Sequence, residues 1–164
     1  MDAVTGEIAD VGSFWRAIGV RAIGVAVVTA QDANGPAGFL ALSATHLSAD
    51  PPMMMVSIGL KTSALAAVLA SRHFAINYVA QGGQELADWF GGKGDRKGAD
   101  RFVAGDWTTL KTGAPVLVNG VGSLDCALDE TIERHGAVIA IGRVVAYRAR
   151  PDLKPLISFG GKYI

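Results

Sequence analysis

The feature that most constrains the fold of this chain is a series of short β-branched apolar runs, each closed by a turn signal. Residues 24–29 read Gly-Val-Ala-Val-Val-Thr and end at the turn residues 32–36; a second run covers residues 38–48. Val, Ile and Thr favour strands, whereas Asp, Asn, Gly and Pro favour turns. Asn34-Gly35 between the two runs is typical of a β-hairpin. The pattern predicts a sheet assembled from hairpins.

The rest of the chain extends this pattern and adds a few short helices. Further strands are predicted over residues 53–58, 73–79, 116–118, 121–128, 138–149 and 156–159. One helix is predicted over residues 14–19, capped by Ser13, with Phe14, Trp15 and Ile18 as its apolar contacts. A second covers residues 64–70, capped by Thr62 or Ser63, and a third covers residues 84–90 and closes at Gly91-Gly92. Regular strand–helix alternation and a GxGxxG motif are absent, which argues against a Rossmann domain.

The sequence therefore predicts one mainly β domain over residues 1–164, an antiparallel β-barrel with short helices. Lys plus Arg equals Asp plus Glu, at 15 each, so no charge excess indicates nucleic acid or an anionic membrane surface. The glycine-rich charged segment 92–106 is interpreted as a mobile surface loop. Cys126, the one cysteine, is expected to be a buried thiol. Without a signal peptide or membrane-span pattern, we expect a cytoplasmic protein.

Common catalytic constellations are missing from the sequence. It contains no GxSxG, HExxH or paired CxxC motif, and His46, His73 and His135 have no metal-ligand spacing. We expect neither a metal site nor a side chain that carries the chemistry. A bound redox cofactor is compatible with this composition, because the cofactor supplies the reactive atoms and the protein supplies binding and orientation.

A set of segments, in order and spacing along nearly the whole chain, resembles the short-chain flavin reductase family. They read GVAVVTA (24–30), GFLALSAT (38–45), LSADPP (47–52), FAIN (74–77), ELADWF (85–90), KGADRF (97–102), TGAPVL (112–117), LDC (124–126), IGRV (141–144), and PL (155–156) with GKY (161–163). The resemblance implies an FMN-binding split barrel of Greek-key type that forms a homodimer with flavin sites near the interface. It also implies that NADH or NADPH reduces FMN or FAD, and that the reduced flavin diffuses to an oxygenase component.

The same resemblance implies positions for the flavin. The ring edge would be lined by Leu40, Ala41, Leu42, Ser43 and Ala44, the ribityl chain and phosphate would lie on Ser57, Ile58, Lys61, Thr62 and Ser63, and Phe90, Gly91 and Tyr163 would add contacts. Among the ring contacts, the hydroxyl expected to reach the flavin is that of Ser43. Hydroxyls and free amides at a helix start also favour a phosphate on physical grounds, and Lys61 adds a positive charge.

The sequence departs from the family pattern in two places. Leu40 and Leu42 stand where a Thr and an Asn are expected, so backbone groups would have to bind the ring. Ala137 stands where the family carries a histidine that meets the nicotinamide. His135 would lie on the same strand face as Ala137 if Gly136 were regular, and it is the alternative nicotinamide-binding residue. Two other functions stay open: a flavin-binding carrier or sensor, and a reductase that acts on a non-flavin acceptor through bound flavin.

Overall fold

The structure is a computed structural model that describes residue 3 and residues 5–164. Within that part of the chain it is mainly β, as predicted. The helices are α1 (Val11–Ile18), α2 (Ala64–Ser71), α3 (Gln84–Phe90) and a 3₁₀ helix (Gly98–Arg101). The strands are β1 (Ile23–Gly24), β2 (Ala26–Asp32), β3 (Gly35–Ala41), β4 (Thr45–Ser48), β5 (Met53–Gly59), β6 (His73–Tyr78), β7 (Trp107–Thr109), β8 (Pro115–Leu117), β9 (Gly122–Arg134), β10 (Ala137–Ala149), β11 (Ile157–Phe159) and β12 (Lys162–Tyr163).

One seven-stranded sheet in the order β3-β2-β6-β9-β10-β5-β4 forms the body of the fold. β3 and β4 are its two edges, yet only residues 42–44 join them. If the sheet were flat, strands about 4.8 Å apart would set these edges about 29 Å apart. The four Cα–Cα steps from Ala41 to Thr45 span at most about 15 Å. The sheet therefore curls until its edges approach, which gives a barrel with an opening between β3 and β4.

The barrel is packed on both faces of β2. Ala26, Val28 and Ala30 point inward, into a core that includes Phe74 and Ile58 and is completed by the apolar side of α2. On the other face, Val27, together with Val25 just before the strand, packs in a second cluster with Phe90 of α3 and with Leu156 near the C-terminus. Burial on both sides explains why β2 reads as a continuous apolar run rather than as an alternating one.

The β2–β3 hairpin confirms the turn signal, but the second predicted strand is interrupted. Asp32 pairs with Gly35, whose φ of +107° suits a residue without a side chain. The prediction of one strand over residues 38–48 is wrong. β3 ends at Ala41, and β4 pairs with β5 on the far edge of the sheet, with Thr45 opposite Met55. Residues 42–44 leave the strand geometry because they cross the barrel opening.

The N-terminal helix begins earlier than predicted. Asp10 is the N-cap, and its carboxylate accepts a hydrogen bond from the Ser13 amide at 2.6 Å. The Ser13 hydroxyl accepts in return from the Asp10 amide at 2.9 Å, so Ser13 completes a capping box rather than starting the helix. The prediction that the apolar residues of this helix pack against the rest of the chain is also wrong. No residue of α1 is buried, and Phe14 and Trp15 are 45% and 54% exposed.

Residues 92–100 are exposed apart from the half-buried Arg96, in line with the predicted surface loop, but residues 92–106 are not irregular throughout. They contain the 3₁₀ helix, whose last residue, Arg101, is 9% exposed. Its guanidinium carbon lies 4.6 Å from the ring centroid of Phe90. Phe102 and Trp107 also meet that ring edge-on, with centroids 5.2 and 5.7 Å away. These aromatic contacts anchor the segment to α3, which the charge run alone did not indicate.

The β9–β10 hairpin is longer than predicted, because β9 continues from Leu128 to Arg134. Past Leu128, β9 has left its partner β6 and pairs with β10 alone. Residues 129–134 are mostly exposed and do not alternate between apolar and polar side chains, so the strand predicted from the apolar pattern stopped at Leu128.

Cys126 lies inside the barrel, as expected, with no exposed surface. Burial, followed by the charge of the adjacent Asp125, raises the pKa of its thiol to about 12. Among the described residues, no helix has the length and apolar character needed to cross a bilayer.

Candidate functional site

Residues 42–44, which cross the barrel opening, dock onto β5. The Ser43 hydroxyl accepts a hydrogen bond from the Ser57 amide at 3.2 Å and lies 3.3 Å from the Ser57 carbonyl, to which it donates. Ser43 and Ser57 are both exposed. The hydroxyl expected to meet a flavin ring thus has backbone partners of its own, and it fixes the distance between the two segments assigned to the ring and to the ribityl chain.

The turn between β5 and α2 presents hydroxyls and amides to solvent. The Thr62 amide donates to the Gly59 carbonyl at 2.9 Å, and the Leu65 amide donates to the Thr62 carbonyl at 3.0 Å. Ser63 holds the N-cap position but makes no side-chain cap bond. The prediction that a Thr62 or Ser63 hydroxyl caps α2 is therefore wrong: Ser63 already has helical backbone angles, φ −59° and ψ −28°, whereas a capping residue is extended.

Because neither hydroxyl caps α2, the turn between β5 and α2 keeps polar groups that can bind an anion. Lys61 and Ser63 are exposed, and the amides of Ser63 and Ala64, unlike those of Thr62 and Leu65, have no backbone partner in this turn. The helix dipole places partial positive charge at the same point. A phosphate would find a cation, a hydroxyl and backbone donors there, which fits the group that the resemblance assigns to this turn.

The tip of the β9–β10 hairpin lies beside this turn. Ala137 is paired with Gly59, and the Leu60 amide donates to the Gly136 carbonyl at 3.1 Å. His135 and Gly136 have φ values of +50° and +78° and connect the paired residues on either side as a two-residue turn. His135 therefore does not lie on the strand face of Ala137, as a regular Gly136 would have required. It is exposed at the tip of the hairpin.

Leu40, Phe90, Gly91 and Tyr163 meet on the other side of β3. A Cβ atom built on Gly91 would lie 3.1 Å from Leu40 Cδ2, so α3 ends in contact with that side chain. Tyr163 packs in the same apolar cluster. Burial, with a further contribution from Asp88, raises the pKa of its phenol.

The predicted flavin residues thus form two groups joined by residues 40–44. Ala41, Ala44 and Ile58 pack in the barrel core, and Leu42 is half-buried in the crossing segment. Two clefts of about 520 and 330 Å³ lie along α3, and Ser43, Lys61 and Ala137 line neither of them. On one chain, the predicted contacts Ser43, Ser57, Lys61 and Ser63 are exposed to solvent.

The described residues hold no group of three His, Cys, Asp or Glu side chains that could bind a metal ion. Sequence reasoning missed Arg101, a buried cation beside the predicted contact Phe90. The signal that could have found it is the pair of aromatic residues that follows it, Phe102 and Trp107, since both pack against Phe90.

Comparison with known proteins matches residues 21–164 to the family described as "Flavin reductase like domain". "FMN reductase (NADH) RutF" of Ancylobacter novellus is 33% identical over 139 residues, which are 85% of this chain and 76% of that protein. "Flavin-dependent monooxygenase, reductase subunit HsaB" of Rhodococcus jostii is 29% identical over 98% of this chain and 80% of its own length. Two Rhizobium meliloti relatives, 34% and 31% identical, are longer, and the chain spans 45% and 61% of their lengths.

Among solved structures, the "NADH:FAD oxidoreductase SgcE6" of Streptomyces globisporus C-1027 is similar with a TM-score of 0.89 and 26% identity. The similarity covers 100% of this chain and 98% of that protein. The same protein has also been solved in complex with NAD and FAD fragments.

Proposed function

The chain belongs to the flavin reductase like family, and we propose from this that it is an NAD(P)H-dependent flavin reductase that binds FMN or FAD. The observation that carries the proposal is the arrangement at the barrel opening. Ser43 is bonded to Ser57, and Ala137 is paired with Gly59, so the segments assigned to the ring, the phosphate and the nicotinamide lie side by side.

The residues at the opening fit a flavin nucleotide. Lys61, the Ser63 hydroxyl and the amides of Ser63 and Ala64 would bind its phosphate through charge and hydrogen bonds. Residues 40–44 would lie along the ring, with backbone groups as donors and acceptors because Leu40 and Leu42 have no polar atoms in their side chains. Ser43 positions this segment by its bonds to β5.

A bound flavin would supply the hydride acceptor for reduced nicotinamide. The chain would contribute position and exclusion of water to that transfer. The nicotinamide would approach the ring past Ala137, whose side chain ends at Cβ and has no polar atom to bind it. His135, at the exposed hairpin tip, would contact the nucleotide through its imidazole ring rather than as part of the strand face.

We also propose that the working form is a homodimer. The predicted flavin surface is open on one chain, and a flavin ring needs cover on its second side to exclude water. α1 presents an apolar face without a partner, with Val11, Phe14 and Trp15 exposed. A second copy would cover apolar surface of this kind. Size-exclusion chromatography with light scattering tests this: a dimer mass is expected, and a monomer mass at micromolar concentration would contradict it.

The oxygenase partner and the cellular location are further parts of the proposal. HsaB is a reductase subunit of a flavin-dependent monooxygenase by name, and a similar role here would mean that reduced flavin leaves for an oxygenase component by diffusion. NAD(P)H as the donor is consistent with a cytoplasmic protein.

The test of the reductase activity is steady-state NADH and NADPH oxidation with FMN or FAD as acceptor. We expect turnover well above the rate of the same flavin and nucleotide without protein. Replacing Lys61 with Met should raise the Kd for FMN about 10-fold with little change for riboflavin, which lacks the phosphate. Lys154→Met, an exposed change away from the opening, is the matched control. No turnover above background with either flavin would refute the activity.

One rival function is supported by a specific observation. Ala137 replaces the histidine expected at the nicotinamide, and His135 is displaced from that strand face by the hairpin turn. A flavin carrier or sensor that does not use pyridine nucleotides would have this arrangement. It predicts tight flavin binding without NAD(P)H oxidation, which the same assay separates from a reductase.

A further inference from the structure

The β9–β10 hairpin places an arginine directly beside Ala137. Ala137 is paired with Gly59 of β5 on one side and with Arg134 of β9 on the other. Directly opposite residues in an antiparallel sheet have their side chains on the same face, with Cα atoms about 4.5–5.5 Å apart. The adjacent residues Val138 and Ile58 pack in the barrel core. Gly59, Ala137 and Arg134 therefore form one row on the outer face of the barrel.

The guanidinium of Arg134 is free to bind a ligand. The side chain is exposed, and its Nη1 donates to the Glu133 carbonyl at 2.7 Å, which uses one of its five N–H donors. Among the described residues, the one ion pair within 4.0 Å joins Arg150 and Asp152, so no carboxylate neutralises Arg134. Its charge and its remaining donors are available on the face that carries Ala137.

The register of the hairpin gives this position to Arg134 and not to His135. His135 and Gly136 are the two turn residues, with φ values of +50° and +78°, and they lie beyond the last paired residues. Ala137 and Gly59 have no polar side-chain atoms. Recognition of a ligand by a side chain in this row therefore falls to Arg134, a permanent cation.

We propose that Arg134 is a specificity residue that binds the phosphate on the nicotinamide half of NAD(P)H. This rests on the proposed function, which brings the nicotinamide to Ala137. One ribose separates the nicotinamide ring from that phosphate, so a long cationic side chain one strand away from the ring position can reach it. The reduced ring carries no charge, whereas the phosphate is an anion that the planar fork of arginine can bind through two oxygens.

A flavin phosphate is the other possible source of the same chemistry. The turn assigned to it, with Lys61 and Ser63, follows β5, and β10 lies between β5 and β9 in the sheet. Arg134 is therefore on the far side of Ala137 from that turn. This placement favours the nucleotide, and the experiment includes flavins with and without a phosphate to separate the two sources.

Arg143 supplies a matched control. It is an exposed arginine on β10, six residues beyond Ala137 and on the same face, because the pairing of β10 with β5 is regular from Ala137 to Arg143. At the rise of an extended strand, this separation is about 20 Å. Arg143→Met removes the same charge from the same face without touching the row of Gly59, Ala137 and Arg134.

The experiment compares hydride donors with and without the phosphate in wild type, Arg134→Met, Arg134→Lys and Arg143→Met, each loaded with FMN. Anaerobic stopped-flow reduction gives the apparent Kd and the limiting rate for NADH, reduced nicotinamide mononucleotide and reduced nicotinamide riboside, which has no phosphate. Arg134→Met should raise the Kd of the first two about 10-fold and that of the riboside less than about 2-fold, with limiting rates within about 2-fold. Arg134→Lys should restore part of the loss, because it keeps the charge but not the fork. Arg143→Met should leave all three Kd values within about 2-fold.

An equal rise in Kd for the riboside and the mononucleotide would overturn the inference, because Arg134 would then act on the ring or on the shape of the hairpin. Unchanged Kd values for all three donors would also overturn it. The Kd values of FMN and riboflavin are measured in the same variants. A loss confined to FMN would assign Arg134 to the flavin phosphate and contradict the proposal.

A wild type whose bound flavin is reduced by none of the donors would refute the reductase activity. The inference about Arg134 is then decided by calorimetry with tetrahydro-NAD, a reduced analogue that cannot donate a hydride. Binding about 10-fold weaker in Arg134→Met than in Arg143→Met would support the phosphate contact. Equal binding in the two variants, or no binding to wild type, would overturn it.

Discussion

Asn77 is expected to be one of the most sensitive positions for stability. It lies on β6 with no exposed surface, and its amide connects the outer face of the barrel to the segment that contains β8. All of its polar atoms are bonded. Nδ2 lies 3.2 Å from the Val27 carbonyl, 3.0 Å from Thr29 Oγ1 and 3.3 Å from the Pro115 carbonyl, and Oδ1 accepts from the Leu117 amide at 2.9 Å and from Ser123 Oγ at 2.8 Å.

Asn77→Ala leaves two buried donors, the Leu117 amide and the Ser123 hydroxyl, without this acceptor. Each such loss costs about 1–3 kcal/mol, so the free energy of unfolding should fall by roughly 2–6 kcal/mol. Urea unfolding measures it, with Asn119→Ala, an exposed change, as the control that stays within about 0.5 kcal/mol. A fall of less than about 1 kcal/mol for Asn77→Ala would mean that these bonds are replaced or not formed.

Asn77→Asp tests the direction of the bonds. The new carboxylate would face the carbonyls of Val27 and Pro115, which cannot donate to it, and only its protonated form could donate. The folded-state pKa of the new Asp should therefore be raised above its unfolded value near 4, so the folded state binds more protons. The destabilisation should be smaller near pH 4 than near pH 8. An equal loss of stability at both pH values would contradict this arrangement.

Three further predictions concern the barrel interior and the N-terminal helix. Gly142→Ala should destabilise the folded protein by about 1–3 kcal/mol, because its Cβ would lie 2.7 Å from two ring carbons of Phe74. Adding Phe74→Leu should recover part of that loss, as measured by urea unfolding. Additive effects of the two substitutions would contradict this. Cys126, with its raised thiol pKa, should react with a thiol reagent at neutral pH only as fast as the protein unfolds, and rapid modification of the folded protein would exclude its burial. The hydrogen bond from Ser13 lowers the pKa of Asp10, so the stabilisation of α1 by the Asp10 carboxylate is present above its unfolded pKa near 4 and is lost as pH falls through its folded pKa. Below that pH, amide hydrogen exchange at Phe14 should accelerate relative to its intrinsic rate. Unchanged protection would refute the cap.

Local signals in the sequence predicted the strands and turns well where one interaction dominates. The β2–β3 hairpin follows from the turn residues around Asn34-Gly35, and the buried runs follow from β-branched composition. The N-terminal cap was misplaced because Asp10 and Ser13 are both good capping residues and only their mutual bonds decide between them. The break at residues 42–44 arises from barrel closure, a tertiary constraint that the apolar pattern of residues 38–48 does not contain.

The positions of the candidate site were predicted from the family resemblance. Only for the phosphate turn did hydroxyls, amides and the charge of Lys61 give an independent physical reason. Charge pattern did not reveal Arg101, since a buried arginine and a solvated one look alike in a mixed charge run. The His135 placement could have been corrected from the sequence, because His-Gly between two strand patterns fits a tight hairpin turn, in which both central residues have positive φ.

An anaerobic absorbance titration of the flavin-loaded protein with NADH and then with NADPH decides whether the protein is a reductase. One of the two nucleotides should bleach the oxidised flavin band at a rate well above that of free flavin, despite Ala137. Flavin that stays bound and oxidised with both nucleotides would contradict the reductase and leave a flavin-binding protein that has lost the use of pyridine nucleotides.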